Sequence, residues 1–157
     1  MAKSIVSQVQ LLPRTEDSAP WEAADHQLVP INLKRYGYVE EEYLYSGKAN
    51  VYTLKNGRAE IKTENADYTN RFILRKPENP AKFSGNVIVE LLNSTNSWDV
   101  SPMWCLLWQK MLQEGDIYIG VTVRAICTKA LKTFDPNRYE KVSWKNPSVN
   151  PGEIDQK

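Results

Sequence analysis

The sequence predicts an α/β protein in which antiparallel hairpin strands lead into a parallel β-α-β unit, and three observations carry the prediction. Asn56-Gly57 lies between ANVYTLK and RAEIKT, two strand-like runs joined by the dipeptide that best tolerates a tight positive-φ reversal. Val87, Ile88, Val89, Leu91 and Leu92 form an almost continuous apolar run interrupted only by Glu90, the pattern of a strand covered on both faces. A helical period over 102–114 is followed by the β-branched DIYIGVTV, so residues 86–123 have the size of one parallel crossover.

Taken in order, residues 1–34 are interrupted by Pro13, Pro20 and Pro30 and show no sustained period, so they read as an arm wrapped over the surface. YVEEEYLY then places Val39, Tyr43 and Tyr45 on one side of a half-solvated strand and two glutamates on the other, the acidic run reading as a wet face. The Asn56-Gly57 hairpin follows, and TNRFILRK reads as a further strand ended by the turn from Pro77 to Pro80, whose prolines remove ladder donors. After the buried strand and the polar loop NSTNSWDV, Ser101 is the expected N-cap, Pro102 the first helical residue and Gly115 the C-terminal cap. Met103, Leu107 and Met111, flanked by Trp104, Trp108 and Leu112, make one broad apolar stripe that reads as core. TKALKTF fits a short helix, and the remainder reads as a loop rich in proline and asparagine.

Bulk properties narrow the function. The length, 157 residues, suits one domain, and a formal charge of +1 gives no electrostatic reason to bind nucleic acid or an acidic membrane. No apolar run is long enough to span a bilayer and the N-terminus lacks an apolar signal region, so a cytoplasmic location is expected. Cys105 and Cys127, the only cysteines, fit no zinc spacing and read as reduced, partly buried thiols. No metal site and no cofactor are expected.

The motif search is mostly exclusion. No pair among the seven glycines brackets a serine as GxSxG, and neither GxGxxG nor a phosphate-binding GxxxxGK[ST] loop is present. His26 is the sole histidine; it stands beside Asp25 in the opening segment and reads as a surface residue. One loop invites a functional reading: Asn93, Ser94, Thr95, Asn96 and Ser97 follow the apolar strand, where ligands of parallel sheets gather. Its backbone N–H groups could donate to an oxyanion, or the loop could simply connect strand to helix. Asn93-Ser94-Thr95 also spells a glycosylation acceptor, which reads as accidental because no secretory signal is recognised in the sequence.

The stretches YGYVEEEYLYSGKANVY, ADYTNRFILRKPENPAKFSGNVIVELLN, SWDVSPMW, LQEGDIYIGVTV and LKTFDPNRY, from about Val9 to about Pro147, resemble the N-terminal part of the alpha/beta hydrolase domain-containing proteins. The resemblance implies serine hydrolases of the carboxylic-ester type, acting on a small-molecule ester, longer than this chain and carrying nucleophile and triad downstream of the matched region. Residues 86–92 would then be the third strand of an incomplete α/β-hydrolase sheet, 93–99 the loop lending an oxyanion N–H, 102–114 the next helix and 117–123 the fourth strand. The absence of glycine between Gly85 and Gly115 departs from the glycine-rich loops common at that place.

These readings divide the chain into an arm (1–34), the N-terminal half of a hydrolase domain (35–147) and a tail (148–157). They lead to a hydrolase fragment that is inactive alone; the alternative is a self-contained, non-catalytic α+β binding or interaction module. In hydrolase strand order the third strand would lack its fifth-strand neighbour, leaving Val87 to Leu92 as an exposed edge suited to self-association.

Overall fold

In the computed structural model, which describes residues 5–144, hairpin chemistry builds one side of a five-stranded sheet. Asn56 and Gly57 take φ of 51° and 75°, the paired left-handed conformations that match a two-residue reversal to strand twist. From that turn β2 (Tyr38–Lys55) and β3 (Arg58–Pro77) run antiparallel along their whole length, from Lys55↔Arg58 to Tyr38↔Pro77. YVEEEYLY and TNRFILRK are therefore not separate strands but the other ends of the two that form the hairpin. Register shifts between Ala49 and Tyr52 interrupt the alternation, which divides one long strand into two pieces when the sequence is read alone.

The opening segment is more than a surface arm. Ile5–Leu12 forms β1, paired antiparallel with β2 from Ile5↔Lys48 to Leu12↔Glu42. Its residues are almost all exposed, so no buried face imposes an alternation on them and the strand leaves little trace in the sequence. After Pro77 come β4 (Val87–Leu91), α1 (Pro102–Glu114) and β5 (Ile117–Val121), and β4 lies parallel to β5 as expected. β5 also pairs antiparallel with β3, giving the order β1-β2-β3-β5-β4 with β4 at the edge. A second helix, α2 (Ala125–Phe134), extends the helical stretch foreseen at TKALKTF.

All packing is on one face. Trp104, Met111 and Leu112 of α1 cover Tyr38, Ile73 and Tyr118, and Ala24, Ile31 and Leu33 from the opening segment close the same cluster. Leu131 of α2 joins Leu44, Tyr139 and Val142 in a second cluster. Two expectations are corrected here. The apolar strand is not covered on both sides: Ile88, Glu90 and Leu92 face α1, whereas Val87, Val89 and Leu91 are 50%, 58% and 68% exposed. The stripe on α1 is narrower than the apolar positions suggest, because Met103 and Leu107 lie outside the buried set, at 46% and 41% exposure.

Gly115 ends α1 at φ 85°, where a β-carbon would sit 2.0 Å from the carbonyl oxygen of Lys82. At the other end Ser101 makes no side-chain cap. The Glu90 carboxylate takes its place, accepting the N–H groups of Met103 (2.8 Å) and Trp104 (3.1 Å) and the Tyr118 hydroxyl (2.6 Å). The one charge in the apolar run thus ties β4, α1 and β5 together. Residues 135–144 are irregular, as expected, yet they bury Arg138, Tyr139 and Val142. The expected tail, 148–157, lies outside the described residues.

Candidate functional site

β4 and β5 both end at the same side of the sheet, and the loop from Leu92 to Ser101 emerges there. Its base is closed by reciprocal backbone bonds between Asn93 and Val100, at 2.8 and 2.9 Å. Inside, the Asn93 side-chain oxygen accepts both the N–H (2.7 Å) and the hydroxyl of Thr95. The N–H groups of Ser97 and Trp98 return to the carbonyls of Ser94 (3.1 Å) and Thr95 (3.4 Å). Of the five loop residues singled out by sequence, Asn93, Thr95 and Ser97 have therefore spent their amides within the loop. Among the described residues nothing accepts from the Ser94 N–H. The loop has no glycine, but Ser97 holds φ 65°, the left-handed conformation that glycine would adopt at least cost.

Two features fix the loop to the body. Trp98 packs edge-on against Trp21 (5.4 Å between centroids), which in turn packs edge-on against Phe134 of α2 (4.8 Å). Next to it the Asp99 carboxylate, 1% exposed, accepts from the Arg71 guanidinium (2.9 Å) and from the Thr122 hydroxyl. Arg71, fully buried on β3, also reaches Glu42 (2.6 Å), Thr122 Oγ1 (3.0 Å) and the Trp21 carbonyl (3.1 Å). Glu42 takes further bonds from Arg138 (2.6 Å) and the Tyr139 hydroxyl (2.9 Å). Two guanidinium groups thus meet two carboxylates, so the buried charges balance. Burial by itself would pull the Arg71 pKa down, but the neighbouring Glu42, Tyr139 and Asp99 raise it above the ordinary value.

The acidic run of β2 is accordingly not a wet face. Glu42 is 1% exposed, and Glu40, whose side chain is 9% exposed, binds Arg75 at 2.7 Å. Arg75 lies 4.1 Å from the Trp104 ring and donates to the Glu22 carbonyl at 2.7 Å. Only Glu41, on the opposite face, meets Lys76 (2.8 Å) near solvent. Sequence reading missed this network, although a signal was present: Glu40 and Glu42 share one face of β2 while Arg71 and Arg75 share the matching face of β3. Glu22 itself holds φ 65° and accepts from Ser101 Oγ at 3.2 Å. Burial raises its pKa, partly countered by the Ser101 hydroxyl and the charges of Arg75 and Arg71.

The remaining sequence candidates do not converge. His26 is exposed in a short turn near Arg14, which pairs with Asp25 at 2.8 Å, and no described serine hydrogen-bonds to it. Cys127 is buried and Cys105 is exposed, not partly buried; both are free thiols. Burial and the Asp99 charge push the Cys127 thiol up to about 12. No group of three or more histidine, cysteine or carboxylate side chains suited to a metal occurs among the described residues, and no described helix is long and apolar enough to cross a membrane. The arrangement offers a buttressed backbone donor at the end of a parallel strand, with no nucleophile–base pair beside it among the described residues.

No curated protein and no solved structure matches the chain. A family model described as an alpha/beta hydrolase domain matches residues 7–155, nearly the whole chain, in agreement with the mixed sheet and its parallel β4-α1-β5 unit. The protein therefore belongs to the alpha/beta hydrolase domain family.

Proposed function

We propose that this chain is the portion of a serine carboxylic-ester hydrolase that supplies the front of the sheet and the oxyanion loop, and that it does not turn over esters by itself. The observation that carries the reading is the loop after β4. It lies at the end of the parallel strands where such enzymes place an oxyanion donor, its base is locked by the Asn93–Val100 bonds and by Asp99 on Arg71, and the Ser94 N–H is left over for a ligand. Hydrolysis also needs a nucleophile on a sharp turn and a base within reach of it. The sequence has no GxSxG, and its single histidine is paired with surface groups. The self-contained module is disfavoured because, among the described residues, no layer covers one whole face of the sheet, and an independent α/β domain needs one.

A proline scan of residues 93–97 in a relative that carries this segment together with a nucleophile elbow tests the loop. Proline deletes the N–H, so at the donor, expected at Ser94, turnover should fall about a hundredfold or more, whereas Ser94→Ala should cost little. Full activity in every proline variant that keeps its circular dichroism would reduce the loop to a connection.

A further inference from the structure

The opening segment meets the loop after β4 on a strained turn. Glu22 takes φ 65°, a left-handed backbone that is costly for any residue with a β-carbon and persists only where its surroundings over-determine it. Two fully buried arginines of β3 do so here: Arg71 donates to the Trp21 carbonyl (3.1 Å) and Arg75 to the Glu22 carbonyl (2.7 Å). The two side chains between them then land on the exit of the loop. Trp21 packs against Trp98 and gives its indole N–H to the Asp99 carbonyl (3.3 Å). Glu22 accepts the Ser101 hydroxyl (3.2 Å), which is free to turn there because Glu90, and not Ser101, caps α1.

We infer that Glu22 is a positioning residue for the oxyanion loop: the Trp21–Glu22 strap holds its carboxyl against Ser101 and so steadies the Asn93–Val100 base from which the Ser94 N–H projects. The inference rests on the ester-hydrolase reading for what the loop does, whereas the fastening is a property of this chain alone. Its path is short, since Ser101 follows Val100, whose N–H and carbonyl both bond to Asn93, the neighbour of Ser94. The charged groups facing Glu22 are Arg71 and Arg75 from β3 and Asp99 from the loop. Behind them stand Glu40 of β2, on Arg75, and the Tyr118–Glu90 pair next to Ser101; Asp25 and His26 of the opening segment turn instead to Arg14. Burial, aided by the Asp99 charge, holds the Glu22 pKa above its ordinary value against the pull of the Ser101 hydroxyl, Arg75 and Arg71. A carboxyl released from the strap site regains water and its ordinary pKa. As pH rises between the two values the fastening therefore weakens.

Amide hydrogen exchange of the intact chain, followed by NMR and expressed as protection factors so that the intrinsic pH dependence drops out, reads the fastening at Asn93 and Val100, whose N–H groups bond to each other's carbonyls. Glu22→Gly deletes the carboxyl but relieves the left-handed backbone, so its effects on global stability oppose one another. Protection at Asn93 and Val100 should fall about tenfold, the effect of one lost hydrogen bond to a carboxylate, while amides of the β2–β3 ladder keep the parent's protection. Ser101→Ala should act alike, and adding it to Glu22→Gly should cost nothing further. In the parent, protection at the two loop amides should decline as pH rises through the mildly acidic range. Glu22→Gln, which keeps an acceptor oxygen and cannot ionise, should hold it constant. Undiminished protection of the loop amides in Glu22→Gly, or a loss shared equally by the β2–β3 ladder, overturns the proposal. So does a parent that shows no decline with pH, or a decline that persists in Glu22→Gln. None of these results involves ester turnover, so the proline scan of residues 93–97 can fail while the fastening stands, and the reverse.

Discussion

Replacing Arg71 with methionine keeps an unbranched apolar stem on β3 and deletes the guanidinium that joins Glu42, Asp99, Thr122 and the Trp21 carbonyl. Glu42 retains Arg138 and Tyr139, but Asp99 is left with the Thr122 hydroxyl and no cation, at 1% exposure. Removing one partner of a buried ion pair costs about 3–5 kcal/mol, because the stranded charge keeps its desolvation penalty. For a chain of this length that corresponds to roughly 10 °C in Tm. Urea titration followed by tryptophan fluorescence should show the midpoint falling with little change in slope, since the surface exposed on unfolding is unaltered. Adding Asp99→Asn should cost less on the Arg71→Met background than on the parent, because the charge it removes is already unpaired. A loss below about 1 kcal/mol for Arg71→Met, or strict additivity of the two changes, would refute the claim that this arginine anchors the loop to the sheet.

Glu90→Ala removes the acceptor for two N–H groups at the start of α1 and for the Tyr118 hydroxyl, and should cost about 2–3 kcal/mol, read from thermal melts by circular dichroism. Glu90→Gln, which keeps one acceptor oxygen, should lose less; equal losses would mean that the carboxylate is not a cap. Glu22 has a folded pKa raised above its unfolded value, so in the window between the two the native state holds more protons and stability declines as pH rises, with the full penalty above the folded pKa. In chemical denaturation across the mildly acidic range, Glu22→Gln should remove that decline, and an unchanged pH profile would contradict it. A disulfide reagent at mildly alkaline pH should modify exposed Cys105 in the native protein and reach Cys127, whose thiol is pushed up to about 12, only on unfolding. Rapid modification of both thiols in the native protein would speak against the burial of Cys127.

Sequence pattern revealed the elements whose chemistry is local. Asn56-Gly57 announces its own backbone, Pro102 and Gly115 bracket α1, and β-branched residues mark β5. What pattern obscured depends on contacts distant in the chain. Val87, Val89 and Leu91 read as doubly buried because hydrophobicity reports what a strand could bury, not whether a second layer is present. The glutamates of β2 read as solvated because their partners lie far along the chain, Arg71 on β3 and Arg138 near the end of the described residues. β1 was invisible because an edge strand with little burial imposes no alternation. At the loop, strand position identified Asn93 to Ser97, but only the hydrogen bonds sort its amides into spent and free, and only the backbone reveals that Ser97 stands in for a glycine.

The central claim is that this chain provides sheet and oxyanion loop without the machinery to cleave an ester. Intact-mass analysis of the purified protein after incubation with a serine-directed fluorophosphonate, alongside turnover of activated esters, tests it most directly. The account predicts an unmodified mass and hydrolysis no faster than the buffer. A stoichiometric adduct on any serine, accompanied by ester turnover that the adduct abolishes, would contradict it.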